Sequence, residues 1–202
     1  VFHVKQSPEV QLELYRALLN KYHPALDLLS DQALADLDAH LADARGYAEL
    51  IRTFQPSPSP LLDVGSGNGL PGIPLAFYMP DTHVHLVERR RRRARFLRLV
   101  VAQLRLSNVT VHACDVQALQ LPPVMVVTAQ AVGDLLTVYC LTAHLHAAEI
   151  VLVTRTDDRW HRVLERLKTT LRPPVIAYQT RRREAHGRLV AVQISGGLSC
   201  RS

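Results

Sequence analysis

The sequence predicts an α/β fold with a mostly parallel, seven-stranded sheet and an N-terminal helical extension. Three observations carry this expectation. Short apolar runs recur after residue 60, most of them separated by enough chain for a crossover helix. Before residue 55 the apolar residues fall at helical spacing instead. Between the two lies "QPSPSP", Gln55 to Pro60, whose prolines forbid a helix and make a stiff linker. Residues 1–55 are therefore expected to form the extension and residues 56–202 one compact unit.

The elements follow in order. "PEVQLELYRALLN" (8–20) reads as a helix, with Pro8 suited to its first turn. "SDQALADLDAHLADARGYAELIRTF", from Ser30, reads as one longer amphipathic helix capped by Ser30 or Asp31. Strands are expected at "LLDV" (61–64), "VHLVE" (84–88), "VTVHA" (109–113), "VMVVT" (124–128) and "EIVLV" (149–153). "PVIAY" (174–178) and "RLVAVQI" (188–194) lack a helix-sized insert and predict an antiparallel pair at one edge, with Arg181 to Arg183 in the loop between them. Trp160 is expected to pack a helix against the sheet.

Composition narrows the function classes. Hydrophobic residues make up 48% and charged residues 21%, a globular rather than disordered balance. No apolar run reaches the roughly 20 residues that span a bilayer, and the start shows no basic-then-apolar leader. The expectation is a cytoplasmic protein with no membrane partner, and a monomer is favoured. Cys114, Cys140 and Cys200 are scattered and form no C-x-x-C, which suggests reduced thiols rather than a disulfide framework or zinc site. The ten histidines form no metal-binding spacing, and no metal is expected. The formal net charge of +6 favours an anionic partner such as nucleic acid.

The most informative stretch is "LLDVGSGNGLPGIPL", Leu61 to Leu75. A strand, a glycine-rich loop and a helix starting near Pro71 place free backbone N–H groups at a helix N-terminus. That is where a doubly wound sheet binds a nucleotide cofactor. A dinucleotide G-x-G-x-x-G would need glycine at Leu70, and no Gly-Lys-Ser/Thr follows for a Walker loop. The pattern is instead Asp63-x-Gly65-x-Gly67-x-Gly69. It resembles motif I of the Rossmann-like class I S-adenosylmethionine methyltransferases. Glu88, 19 residues after Gly69, ends the second strand, where a carboxylate can accept both ribose hydroxyls.

"DVGSGNGLPGIPLA" (63–76) is similar to the signature of the GidB/RsmG family, the bacterial methyltransferases of guanine N7 in 16S ribosomal RNA, and "LPGIP" is its distinctive part. "HLADA" (40–44), "KYHPALDLLS" (21–30) and "LVERRRRRARFL" (86–97) resemble further family segments, so the likeness spans roughly residues 10 to 155. The resemblance implies S-adenosylmethionine as cofactor, held by Asp63, Gly65, Ser66, Gly67, Gly69, Leu70, Glu88, Asp115, Val116, Gln117 and Gln130. It implies 16S ribosomal RNA or the small ribosomal subunit as partner, met by Arg89, Arg92, Arg93 and Arg95. Asp43 and His40 are its candidates for contact with the reacting base. The chain departs from the family pattern where arginine or Lys-Gly is expected, at Asp115, Gln130 and Thr154-Arg155. An RNA-binding relative without methylating activity is therefore the alternative reading.

Guanine N7 carries a lone pair and a sulfonium is already a good leaving group. No general base is needed, and alignment with exclusion of water is the expected task of the protein.

Overall fold

A computed structural model describes residues 7–156, 160–170, 175–182 and 187–195. The apolar runs become β1 (Leu61–Val64), β2 (Val84–Val87), β3 (Val109–His112), β4 (Val124–Ala129), β5 (His146–Thr156), β6 (Val175–Arg182) and β7 (Arg188–Ser195). They form one sheet in the order β3-β2-β1-β4-β5-β7-β6. β1 to β5 are parallel, and β7 runs antiparallel between β5 and β6. The chain turns to opposite sides of β1, first to β2 and later to β4, so a crevice opens at the C-terminal end of β1.

The short parallel strands are mostly apolar because both faces of the sheet are covered. Every residue of β1 is buried. Leu61 packs into a core with α1 (Pro8–Leu26), α3 (Leu37–Phe54), α4 (Gly72–Tyr78) and α5 (Arg91–Gln103). Leu62 and Val64 point the other way, into a core with α6 (Leu135–Thr142) and α7 (Trp160–Thr170). The N-terminal helices thus share the core of the sheet: Tyr15 and Leu19 of α1 are fully buried with Leu86 and Leu97.

Several expectations need correction. α1 runs past residue 20 to Leu26, through Pro24. Its end is tied by Asp27, in the left-handed region, whose N–H donates to the His23 carbonyl. The single helix expected from Ser30 is two helices, α2 (Asp31–Ala35) and α3, broken at Asp36. There ψ opens to 13°, and the Asp36 N–H closes α2 on the Gln32 and Leu34 carbonyls, while its carboxylate accepts from Gln32 Nε2 at 2.8 Å. Arg181 and Arg182 belong to β6 rather than to a loop, because β6 and β7 pair residue for residue up to Arg182 and Arg188. Arg181 forms an ion pair with Glu49 of α3. Cys140 is disulfide-bonded, against the expectation of reduced thiols, whereas Cys114 is free. Arg183, Cys200 and the side chain of Trp160 lie outside the described residues. Among the described residues no helix is long and apolar enough to cross a membrane, and no cluster of three ligating side chains is placed to hold a metal.

The edge formed by β2 and β3 carries three histidines. His85 Nδ1 lies 3.1 Å from His112 Nε2, and the His83 and His85 rings are 4.7 Å apart. Burial, with His83 and His112 beside it, lowers the His85 imidazole to about 4, and burial, His83 and Arg98 lower His112 as well. The unfolded chain therefore takes up protons first as pH falls below about 6.5. Stability that is complete at neutral pH is lost between about 6.5 and 4. The urea midpoint should fall over this window and fall less in His85→Gln. Equal pH slopes for the two proteins would show that the cluster carries no such linkage.

Candidate functional site

The site begins where β1 stops. Ser66 is buried and makes three bonds, two that fasten the turn to β2 and one that returns to β1. Its N–H donates to the Val87 carbonyl at 3.0 Å, its Oγ accepts from the Val87 N–H at 3.1 Å, and its hydroxyl donates to the Asp63 carbonyl at 2.8 Å. The next residue, Gly67, has φ +54, which a side chain rarely tolerates. Its N–H donates to Glu88 Oε2 at 3.0 Å. A Cβ on Gly67 would stand 3.5 Å from Arg93 Nη1 and 4.0 Å from Glu88 Oε2, so the loop backbone, the guanidinium and the carboxylate pack closely together, and it is the positive φ that calls for glycine. Gly69 serves packing instead: a Cβ there would lie 2.8 Å from both Ile73 Cγ1 and the Tyr15 hydroxyl.

Glu88 is buried at the end of β2. Its two oxygens accept from Gly67 N–H and, at 2.7 Å, from Arg90 N–H. An ionised carboxylate has about four acceptor positions, so these bonds orient the group and leave capacity for hydroxyl donors.

A cavity of about 520 Å³ opens at this end of the sheet. Val64, Gly65 and Glu88 form one wall, and Asp115, Val116 and Gln117 another. Ala131 and Val132 close it from the loop after β4, and Arg89, Arg90 and Arg93 reach it from the start of α5. Asp115 accepts from Gln117 N–H at 3.0 Å through Oδ1, capping a single turn at Val116–Ala118.

Not every expected residue arrives there. Asp63 is buried, but alternation along β1 turns it to the face opposite Val64, and it does not line the cavity. Its Oδ1 accepts from Thr128 Oγ1 at 2.7 Å, while Oδ2 faces the start of α4 without a well-formed hydrogen bond. Burial pushes this carboxyl up to about 6, against smaller downward pulls from Thr128, Ser66 and the Gly72 N–H. Ser66 and Leu70 are buried in the turn, and Gln130 is not part of the cavity wall. Arg92 and Arg93 donate to the carbonyls of Ala25 and Asp27 at the end of α1. Arg89 and Arg95 are exposed.

His40 and the buried Asp43 stand one turn apart on α3. Their end of the helix is opposite Arg52, which donates to the Tyr78 carbonyl at the far end of α4. Tyr15 was not legible as a site residue. It reads as one apolar position of an amphipathic helix, yet its hydroxyl donates to the Asn68 carbonyl at 2.8 Å and props the glycine loop.

Residues 9–171 match the model of the GidB family, rRNA small subunit methyltransferase G. The chain belongs to the GidB family. A relative from Granulibacter bethesdensis, named ribosomal RNA small subunit methyltransferase G, is 39% identical over 126 residues, which is 62% of this chain and 57% of that protein. The chain thus matches little more than half of that relative's length. A second of the same name, from Rhodospirillum centenum, is 35% identical over 172 residues, covering 79% of this chain and 77% of that one. Among solved structures, M. jannaschii TYW2 in complex with AdoMet superimposes with a TM-score of 0.54 at 20% identity, over 78% of this chain and 74% of that one. The fold is that of the class I S-adenosylmethionine methyltransferases. The cavity has the chemistry to take such a molecule: the Glu88 and Asp115 carboxylates can accept from hydroxyl and amino groups, and the Gly65 backbone forms part of the same wall.

The perturbed carboxyl gives a test. Asp63 binds its proton more tightly folded than unfolded, so its contribution to stability is present below about 3.8 and lost as pH rises through about 6. Asp63→Asn keeps the shape and removes the charge. Relative to wild type it should gain stability between pH 4 and 6, up to about 3 kcal/mol at pH 7 from the size of the shift. A gain that does not change with pH would refute the titration of Asp63.

Proposed function

We propose that this chain transfers a methyl group from S-adenosylmethionine to N7 of a guanine in small-subunit, 16S ribosomal RNA. The observation that carries the reading is the junction of the Glu88–Gly67 cavity with the arginine-rich start of α5, in a chain of the GidB family. When bound, S-adenosylmethionine supplies an electrophilic methyl group. Glu88 and Asp115 hold its hydroxyl and amino groups, and the backbone at Gly65 and Gly67 allows close approach. Val116 and Gln117 border the same space.

N7 needs no deprotonation, so the residues around the base align it and shut out water rather than move a proton. Asp43 and His40 take the side of the base in this reading. A carboxylate there favours the positive charge that methylation places on guanine. Arg89, which lines the cavity, and the exposed Arg95 of α5 are assigned to backbone phosphates, which guanidinium forks match.

The experiment is calorimetric titration of S-adenosylmethionine, then methylation of small subunits or 16S ribosomal RNA lacking the modification, with the product located by cleavage at 7-methylguanine. Micromolar binding and one modified guanine are expected. Gly67→Val should abolish both, because a branched side chain resists φ +54 and a shifted Gly67 N–H would release Glu88. Arg95→Glu should lower kcat/KM for RNA at least tenfold with cofactor affinity unchanged. Cofactor binding without any modified guanine would overturn the substrate assignment. RNA binding without cofactor binding would support the non-methylating relative.

A further inference from the structure

Helix α1 is tied at two points, to the glycine loop and to α5, whose Arg93 lines the cavity. Midway along it, the Tyr15 hydroxyl holds the Asn68 carbonyl inside the glycine loop. At its end, Arg92 and Arg93 of α5 donate to the Ala25 and Asp27 carbonyls, with 3.2 Å between Arg93 Nη2 and Asp27 O. Tyr22 adds a ring contact to Phe96, with centroids 6.0 Å apart. Helices end with unsatisfied carbonyls and a partial negative charge, so two guanidinium groups there are favourable. Asp27 presents its carbonyl from the left-handed region at φ 49, a conformation that costs a non-glycine residue energy unless its surroundings hold it.

Arg93 differs from Arg92 in one respect: it also lines the cavity. One arm of its fork, Nη2, is on Asp27 O, and the other, Nη1, lies beside Gly67, 3.5 Å from where a Cβ would stand. The guanidinium is planar, so its two arms cannot be oriented independently. An acceptor oxygen held beside Gly67 fixes the plane and with it the arm on the α1 terminus. We propose that Arg93 is a positioning residue that couples cofactor binding to the seating of the last turn of α1. The inference rests on the cofactor occupying the Glu88–Gly67 cavity. Coupling of this kind is reciprocal: cofactor stabilises the turn, and a seated turn raises cofactor affinity by the same factor. Residues 23–29 do not line the cavity, so any response there to the cofactor has to be transmitted.

The test is amide hydrogen exchange of the full chain, with and without saturating S-adenosylhomocysteine, alongside calorimetry. In wild type, exchange at residues 23–29 should slow at least threefold on saturation. In Arg93→Ala the cofactor should still bind, about tenfold more weakly, and exchange at 23–29 should no longer respond when the site is saturated. Arg93→Lys keeps the charge, but one ammonium cannot serve both sites; it should lose most of the response, and it carries the test if the alanine variant does not fold. A merely structural arginine would speed exchange equally with and without ligand. An unchanged response in both variants, or none in wild type, overturns the coupling. Failure of wild type to bind the cofactor would instead remove the reading beneath it.

Discussion

Everything at this site depends on how the chain leaves β1. A parallel strand ends with its last N–H and C=O groups unpaired, and burial makes each costly to leave so. Ser66 settles that account with one residue. Its backbone N–H continues the ladder to Val87, while its hydroxyl both accepts from Val87 and donates back to Asp63. The turn is thereby locked to β2 before the glycines begin. Only with Ser66 fixed does the Gly67 N–H point at Glu88, and only then does that carboxylate, also held by Arg90 N–H, keep one orientation. Ser66, placed among the cofactor contacts by the resemblance, is a fastener whose side chain faces into the sheet.

The same turn explains the buried charge beneath it. Gly72 opens α4 directly against Asp63: a Cβ there would lie 2.7 Å from Asp63 Oδ2. A carboxylate under a helix start gains from the local field, and Thr128 adds a hydrogen bond, yet burial outweighs both and leaves the carboxyl near 6. Its position on the β1 face away from the cavity makes it a support for the loop and for α4. The first acid of the motif and the acid after the second strand therefore do different work: Asp63 is buried beneath the start of α4, and Glu88 lines the cavity.

Much of this was legible because period and punctuation are local properties. The five parallel runs, the glycine loop, the acid at Glu88 and the antiparallel pair all follow from spacing and from the positions of glycine and proline. What could not be read depends on partners distant in the chain. The break at Asp36 is a change in one residue's backbone, to φ −93 and ψ 13, which leaves the helical spacing of the apolar residues in place. The extension of β6 through Arg182 depends on its pairing with β7. The arginine run announced an anionic partner, but its periodicity could not show that Arg92 and Arg93 are drawn first to the carbonyls that end α1. Tyr15 looked like one more core position because nothing in a single helix tells which hydroxyl will meet a loop 53 residues away.

The departures from the family pattern fall into place on the same geometry. Thr154 is buried, and its hydroxyl donates to the Ala129 carbonyl at 2.9 Å, so it closes the edge between β4 and β5 where the pattern expects Lys-Gly. Gln130 lies outside the cavity wall; the loop after β4 meets the cavity through Ala131, at φ 60, and through Val132. A Cβ on Gly65 would lie 2.6 Å from Val132 Cγ2, so this side of the cavity is closed by apolar packing and backbone. The cations stand on the other side, where Arg89, Arg90 and Arg93 enter from α5. An anionic or hydroxyl-rich ligand needs positive charge and donors near it, but Coulomb attraction does not require that they come from one particular loop. Arginines at the start of α5 supply the cavity with charge that the substituted positions no longer bring, and they do so on the helix that also holds α1.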